Sequence, residues 1–245
     1  MRAGLVALAG LIALAAACDQ APPRPVNVQF DLAWDTAGAK VEDGHALIAT
    51  DTGYEVELDR LTLTTYSVEL MPCQPLPPPK KAAISFIGTA WAGHQAGHPV
   101  TRTNKSGFEA PLTADTLTMD KIPVPDVAYC GAHYLIGRLL DPPPGMDPAN
   151  TVGFSLRAHG RYHKAGADTW TELTLDTPVA HGILLDFPDT TKGTRFKDGD
   201  VLVVTRKLGP MFNGVDFQTM DEAAVVRQIL RQVVSGTVVS WHTAG

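Results

Sequence analysis

Hydrophobic and polar residues alternate with a period of two along most of this chain. Val26, Val28, Phe30, Leu32 and Trp34 take every second position of the first clear stretch. That is the pattern of a strand with one face in a core and the other in water. It returns between 54 and 72 as Tyr54, Val56 and Leu58, then Leu61 and Leu63, then Tyr66, Val68 and Leu70. The phase slips twice, which predicts a turn near Asp59-Arg60 and a bulge near Thr64-Thr65. Further strands are expected over 82–89, 112–119, 133–140, 152–163, 169–175, 181–187 and 200–208, separated by Pro, Gly, Asn and Asp. Many short strands at this spacing predict an all-β fold, an antiparallel β-sandwich or open barrel.

One segment departs from the period of two. Ala223, Val226, Ile229, Leu230 and Val233 make one apolar stripe at helical spacing. Thr219 and Glu222 stand at capping-box spacing before it, and Gly236 suits a left-handed stop after it. The prediction is a C-terminal amphipathic helix covering a sheet edge or barrel end, with a short last strand over 237–242.

The first residues follow a different logic. Arg2 precedes an apolar run over 3–17 that ends Leu14-Ala15-Ala16-Ala17-Cys18. The run falls short of the roughly 20 apolar residues that span a bilayer, and a positive start with small residues before a cut site describes an export signal. Its end resembles the bacterial lipoprotein signal, in which the cysteine is lipidated and becomes the mature N-terminus. An ordinary secretory signal cut nearby is the alternative. The expected organisation is a signal over 1–17, a lipid-anchored Pro-rich tether over 18–25 and a single β-sandwich domain over 26–245. The working location is then the periplasmic side of a bacterial membrane, inner or outer, with the membrane itself as a partner through the lipid on Cys18.

With Cys18 in the anchor, Cys73 and Cys130 remain as an even pair. In an oxidising compartment they are expected to form a disulfide; two buried thiols or a metal-ligand role are the other readings. The net charge is −6, and loss of Arg2 makes the mature chain more acidic still. That argues against nucleic acid as a partner, since nucleic acid selects basic patches.

Enzyme signatures are absent: no Gly-x-Ser-x-Gly elbow, no phosphate loop and no Rossmann glycine pattern. No nucleophile–base pair can be nominated, so the chain is read as a non-enzyme. Histidine carries what chemistry there is. His94 and His98 lie four apart in a glycine-softened loop, His133 follows Cys130, and His159 and His163 share one face of an extended strand with Arg161 between them. His45, His181 and His242 read as single turn or terminal residues. Imidazole suits copper and zinc, so convergence of His94, His98 and one or more of His133, His159 and His163 would make a metal site. The bland reading of each pair is a solvated loop or strand face. Trp91, three residues before His94, is either a rim or core aromatic or a group that tunes such a site.

Two segments, LTLTTYSVEL over 61–70 and FNGVDF over 212–217 before the helix, resemble the periplasmic copper-binding partner proteins of methanobactin operons. The resemblance implies a β-sandwich that binds copper through histidines and a modified tryptophan, a role Trp91 would fill, with a di-haem peroxidase-like partner. This chain lacks the second cysteine pair common in that family, and no ligand is carried over by position. The expected function is storage, sensing or transfer of copper, or of zinc. The rival is a metal-free binding or assembly lipoprotein whose loops contact a protein partner.

Overall fold

A computed structural model of the chain describes residues 24–42, 45–74, 107–108, 116–138, 152–187 and 192–243. Its strands are β1 (Pro25–Asp35), β2 (Ala39–Glu42), β3 (His45–Ala49), β4 (Tyr54–Pro72), β5 (Gly107–Phe108), β6 (Leu117–Pro125), β7 (Tyr129–Ile136), β8 (Leu156–Lys164), β9 (Thr171–Thr177), β10 (His181–Asp186), β11 (Asp200–Lys207) and β12 (Val238–Thr243). They form two sheets, neither of which closes into a barrel. The smaller has the order β12-β11-β1-β6; the larger runs β10-β7-β4-β3-β2, with β5 and β8 on β4 and β9 on β8. Among the described residues every pairing between these strands is antiparallel except β1 with β11.

The alternating residues do what their period predicts. Val28, Phe30, Leu32 and Trp34 of β1 are buried against Val56, Leu58, Leu61, Leu63 and their neighbours in one apolar cluster between the sheets. Among the described residues the largest fully buried side chain is Arg206, whose guanidinium lies over the Trp34 ring at 4.3 Å. Burial pulls its pKa downward, against a hold from Tyr134 of the facing sheet.

The turn expected at Asp59-Arg60 is instead a bulge inside one 19-residue strand, β4. Against β8 the register shifts between Leu58 and Arg60. An inserted residue restores the inward phase, so Leu61 and Leu63 return to the core that Val56 and Leu58 occupy. Gly160 faces this point, and a Cβ there would collide with the Glu57 carbonyl oxygen. The second slip lies between Thr65 and Ser67 against β7, close to its expected place. The hairpin of β2 and β3, paired from Ala39↔Ile48 to Glu42↔His45, was not anticipated. Each arm is only 4 or 5 residues long, too short for a period to stand out.

The helix α1 (Glu222–Gly236) buries Val225, Val226, Ile229, Leu230, Val233 and Val234, whereas Ala223 faces solvent. Its cap is Asp221, which accepts from the Ala224 N–H at 2.7 Å. Thr219 donates instead to Asp216 at 2.9 Å, so the expected capping box does not form. Gly236 ends the helix without a left-handed turn: Thr237 follows in extended conformation, and its hydroxyl donates to the Val233 carbonyl at 2.7 Å. The helix packs on the 3₁₀ turn Gly209–Phe212, on β9 and β10 of the larger sheet and on β11 of the smaller. It thus touches both sheets.

Cys73 and Cys130 are joined in a disulfide, Cα to Cα 4.9 Å, which ties the end of β4 to the start of β7. The bridge closes a loop of 57 residues, so by chain entropy it stabilises the fold by about 4 kcal/mol. Replacing both cysteines by serine is expected to remove roughly that amount, read as a lower urea midpoint. An unchanged midpoint, or free thiol at these positions in the unreduced denatured chain, would contradict this.

Candidate metal centre

The outward face of the larger sheet is built by the same alternation that fills the core. On β4, Val56 and Leu58 point in, so Glu55, Glu57 and Asp59 point out. On β3, Ala46 and Ile48 are buried and His45, Leu47 and Ala49 are exposed. The register then sets rows across the strands: Glu55 opposes His163, and Glu57 lies between Leu47 and Arg161. Arg161 in turn opposes Glu172 on β9.

His45, Glu57 and Asp59 make the one group of three metal-ligating side chains among the described residues, with one ligand atom from each within 4.8 Å of the others. His45 Nδ1 and Asp59 Oδ1 are 2.9 Å apart. Ligand atoms on one ion at about 2.1 Å each stand at most about 4.2 Å apart, so modest side-chain rotation closes the set. His45 and Asp59 are more than half exposed, at 54% and 56%, and Glu57 less so. Glu57 is held from behind: Arg161 donates to its Oε2 through Nε at 2.8 Å and lies 2.6 Å away through Nη2. Both contacts use Oε2 and leave Oε1 for a cation. The Arg161 guanidinium rests over the Trp170 ring at 4.6 Å. Beside the cluster an open groove of about 410 Å³ is lined by Asp59, His159, Arg161, Trp170, Glu172 and Thr174, among others.

The histidines proposed from sequence are not gathered at one point. His94, His98 and Trp91 lie outside the described residues, as do Cys18 and the strand expected over 82–89. His159 and His163 are on β8 and share a face, but four residues of strand separate them by about 13 Å, too far for one ion. His133 sits on β7 between Glu69 and Leu184. That is alongside the far half of β4 from Glu55, on the order of 40 Å away along an extended strand.

His163 also has both ring nitrogens engaged. Its Nδ1 donates to the Ala167 carbonyl and its Nε2 to the Glu55 carboxylate, each at 2.7 Å. Acceptors on both nitrogens favour the protonated ring, which lies tilted against Trp170 with ring centres 3.9 Å apart. The Ala167 carbonyl raises its pKa; burial pulls the other way, and Glu55 adds to the rise. His159 has one such partner, Asp176 Oδ1 at 2.8 Å. Asp176 also receives Arg157 at 3.0 and 3.2 Å. Burial pushes the Asp176 carboxyl upward, but these donors outweigh it, and its pKa ends below the ordinary value.

The sequence reading missed His45, Glu57 and Asp59 as a set. A signal existed in the sequence alone: Asp43-Gly44, a favoured two-residue hairpin dipeptide, stands just before His45.

Comparison of the chain with family models, curated proteins and solved structures finds no match.

His163 yields a titration test. A histidine whose folded pKa is raised contributes stability that is complete below its unfolded value of about 6.5 and is lost as pH rises through the folded one. In NMR titration the His163 ring is therefore expected to keep its proton above the ordinary histidine range, and the change Glu55→Gln to lower its midpoint. A His163 midpoint at or below that of a free histidine would refute the assignment.

Proposed function

We propose that this protein is exported, anchored by lipid on Cys18, and carries a divalent transition metal, copper or zinc, on the outward face of its larger sheet. The observation behind this reading is the His45–Glu57–Asp59 cluster, in which an imidazole and two carboxylates approach one another from adjacent strands. One nitrogen and two oxygen donors suit a borderline divalent ion. Arg161 supports the set by orienting Glu57, as hydrogen-bonded outer residues orient metal-ligating carboxylates. Two of the three ligands are open to solvent, so the ion can exchange with a partner. Storage or hand-over therefore fits better than catalysis. The reading stands on this cluster rather than on the resemblance of 61–70 and 212–217 to copper-binding partner proteins. The place of work is read from the sequence of Arg2 through Cys18.

Purified mature protein dialysed against Cu²⁺ or Zn²⁺ and then against buffer should retain stoichiometric metal by elemental analysis. The double change His45→Ala/Asp59→Ala should remove it, and His94→Ala/His98→Ala should leave it in place. Full retention in the first variant would exclude the cluster, and loss in the second would move the site to the 91–98 loop. For the anchor, the change Cys18→Ser should shift the protein from the membrane to the soluble fraction; persistence in the membrane fraction would rule out lipid at that residue.

A further inference from the structure

We infer that His159 is a further ligand of the same ion, presented to it by Asp176, an inference that rests on the metal reading above. His45, Asp59 and His159 fall in one row across three strands. Ala46 pairs with Leu58, which brings His45 beside Asp59. On the other flank His159 pairs with Arg60, and the bulge places Asp59 and Arg60 together opposite that one β8 residue. Asp59 therefore has a histidine on the strand at either side: His45 inside the group of ligand atoms that lie within 4.8 Å of one another, and His159 outside it, so that the ion would have to draw the His159 ring in. Asp59 and His159 also line the same groove, with Gly160 between His159 and Arg161 adding no side chain to fill it.

The way His159 is held points to the same role. Its Nε2 is bonded to Asp176 Oδ1 at 2.8 Å, and Asp176 is fixed by two bonds from Arg157. A carboxylate on one ring nitrogen keeps the proton there and leaves the other, Nδ1, with its lone pair. The same carboxylate–imidazole arrangement stands behind most metal-bound histidines, where it sets the tautomer and raises the basicity of the ligand nitrogen. His163, four residues along the same face, has acceptors on both nitrogens and no lone pair to give. The two β8 histidines are thereby assigned different tasks, one with both nitrogens engaged and one with a nitrogen to offer. Arg60 and Arg161 bring positive charge to the neighbourhood of the ion, and Asp59, Glu57 and Glu172 offset it.

Cu²⁺ is the probe, because pulsed EPR counts coordinated imidazoles. The full mature chain is expected to show two, and His159→Gln one, with affinity lower by about tenfold or more. Asp176→Asn should keep both imidazoles yet bind about 10- to 100-fold more weakly, since it removes only the orienting carboxylate. Thermal melts of each variant separate loss of a ligand from loss of the fold. Suppose His159→Gln leaves both affinity and imidazole count unchanged while His45→Ala/Asp59→Ala abolishes binding. Then His159 is no ligand and the metal reading survives without it. Failure of the unmodified chain to bind Cu²⁺ would overturn both.

Discussion

The inserted residue between Leu58 and Arg60 is the constraint on which the larger sheet depends. β4 runs for 19 residues and is paired with β3, β5, β7 and β8. Side chains on a strand alternate strictly, so a strand carrying Val56 and Leu58 inward would, without the bulge, turn Leu61 and Leu63 to water. The extra residue resets the phase and keeps all four in the core. It leaves Asp59 and Arg60 both exposed, which is how an acidic side chain comes to face a histidine on each neighbouring strand. Gly160 is the matching concession on β8, where backbone approaches backbone too closely for any Cβ. Core packing and the candidate metal cluster thus share one cause.

Outside that core, the sheet face shows how a side chain's role follows from what is aimed at it. Three histidines lie on the two strands that flank the first half of β4. His163 meets a carbonyl and a carboxylate, which favour its protonated form, and lies tilted against Trp170. His159 meets one carboxylate, itself held by Arg157. His45 meets Asp59 in the open. Residue type is identical, and chemistry differs because the register places different partners opposite each ring. Glu57 has the same dependence: the Arg161 that neutralises one of its oxygens also orients the other. Charged pairs this exposed contribute little to stability, so their arrangement bears more on binding than on folding.

Much of this architecture was legible in the chain. The strands around Phe30, Leu70, Leu175 and Val204 and the helix around Ile229 announce themselves, because burial of one face imposes a period that survives in the residues. Boundaries and caps were less legible. Thr219 satisfies the spacing of a capping box, yet Asp216 is close enough to take its hydroxyl, and Asp221 caps the helix instead. Gly236 fits a left-handed stop, yet Thr237 ends the helix through its own hydroxyl bond to Val233. Local rules name residues able to do a task; competition among neighbours decides which one does it. The disulfide was readable for a different reason: with Cys18 expected in an anchor, Cys73 and Cys130 were the one pair left to join.

The candidate site shows where that legibility ends. Sequence by itself determined which residues are polar, which face of each strand they share, and that His159 and His163 point the same way. Along one strand, side-chain period is a local property of the backbone. Sequence did not determine that β3 lies beside the first half of β4, that β8 lies along its other flank, or that His133 belongs with the far half. Those are choices of pairing and register between segments far apart in the chain, set by which combination buries the most apolar surface at once. Only after the tertiary fold makes that choice does His45 acquire Asp59 as a neighbour, because a ligand set drawn from several strands exists only in the pairing.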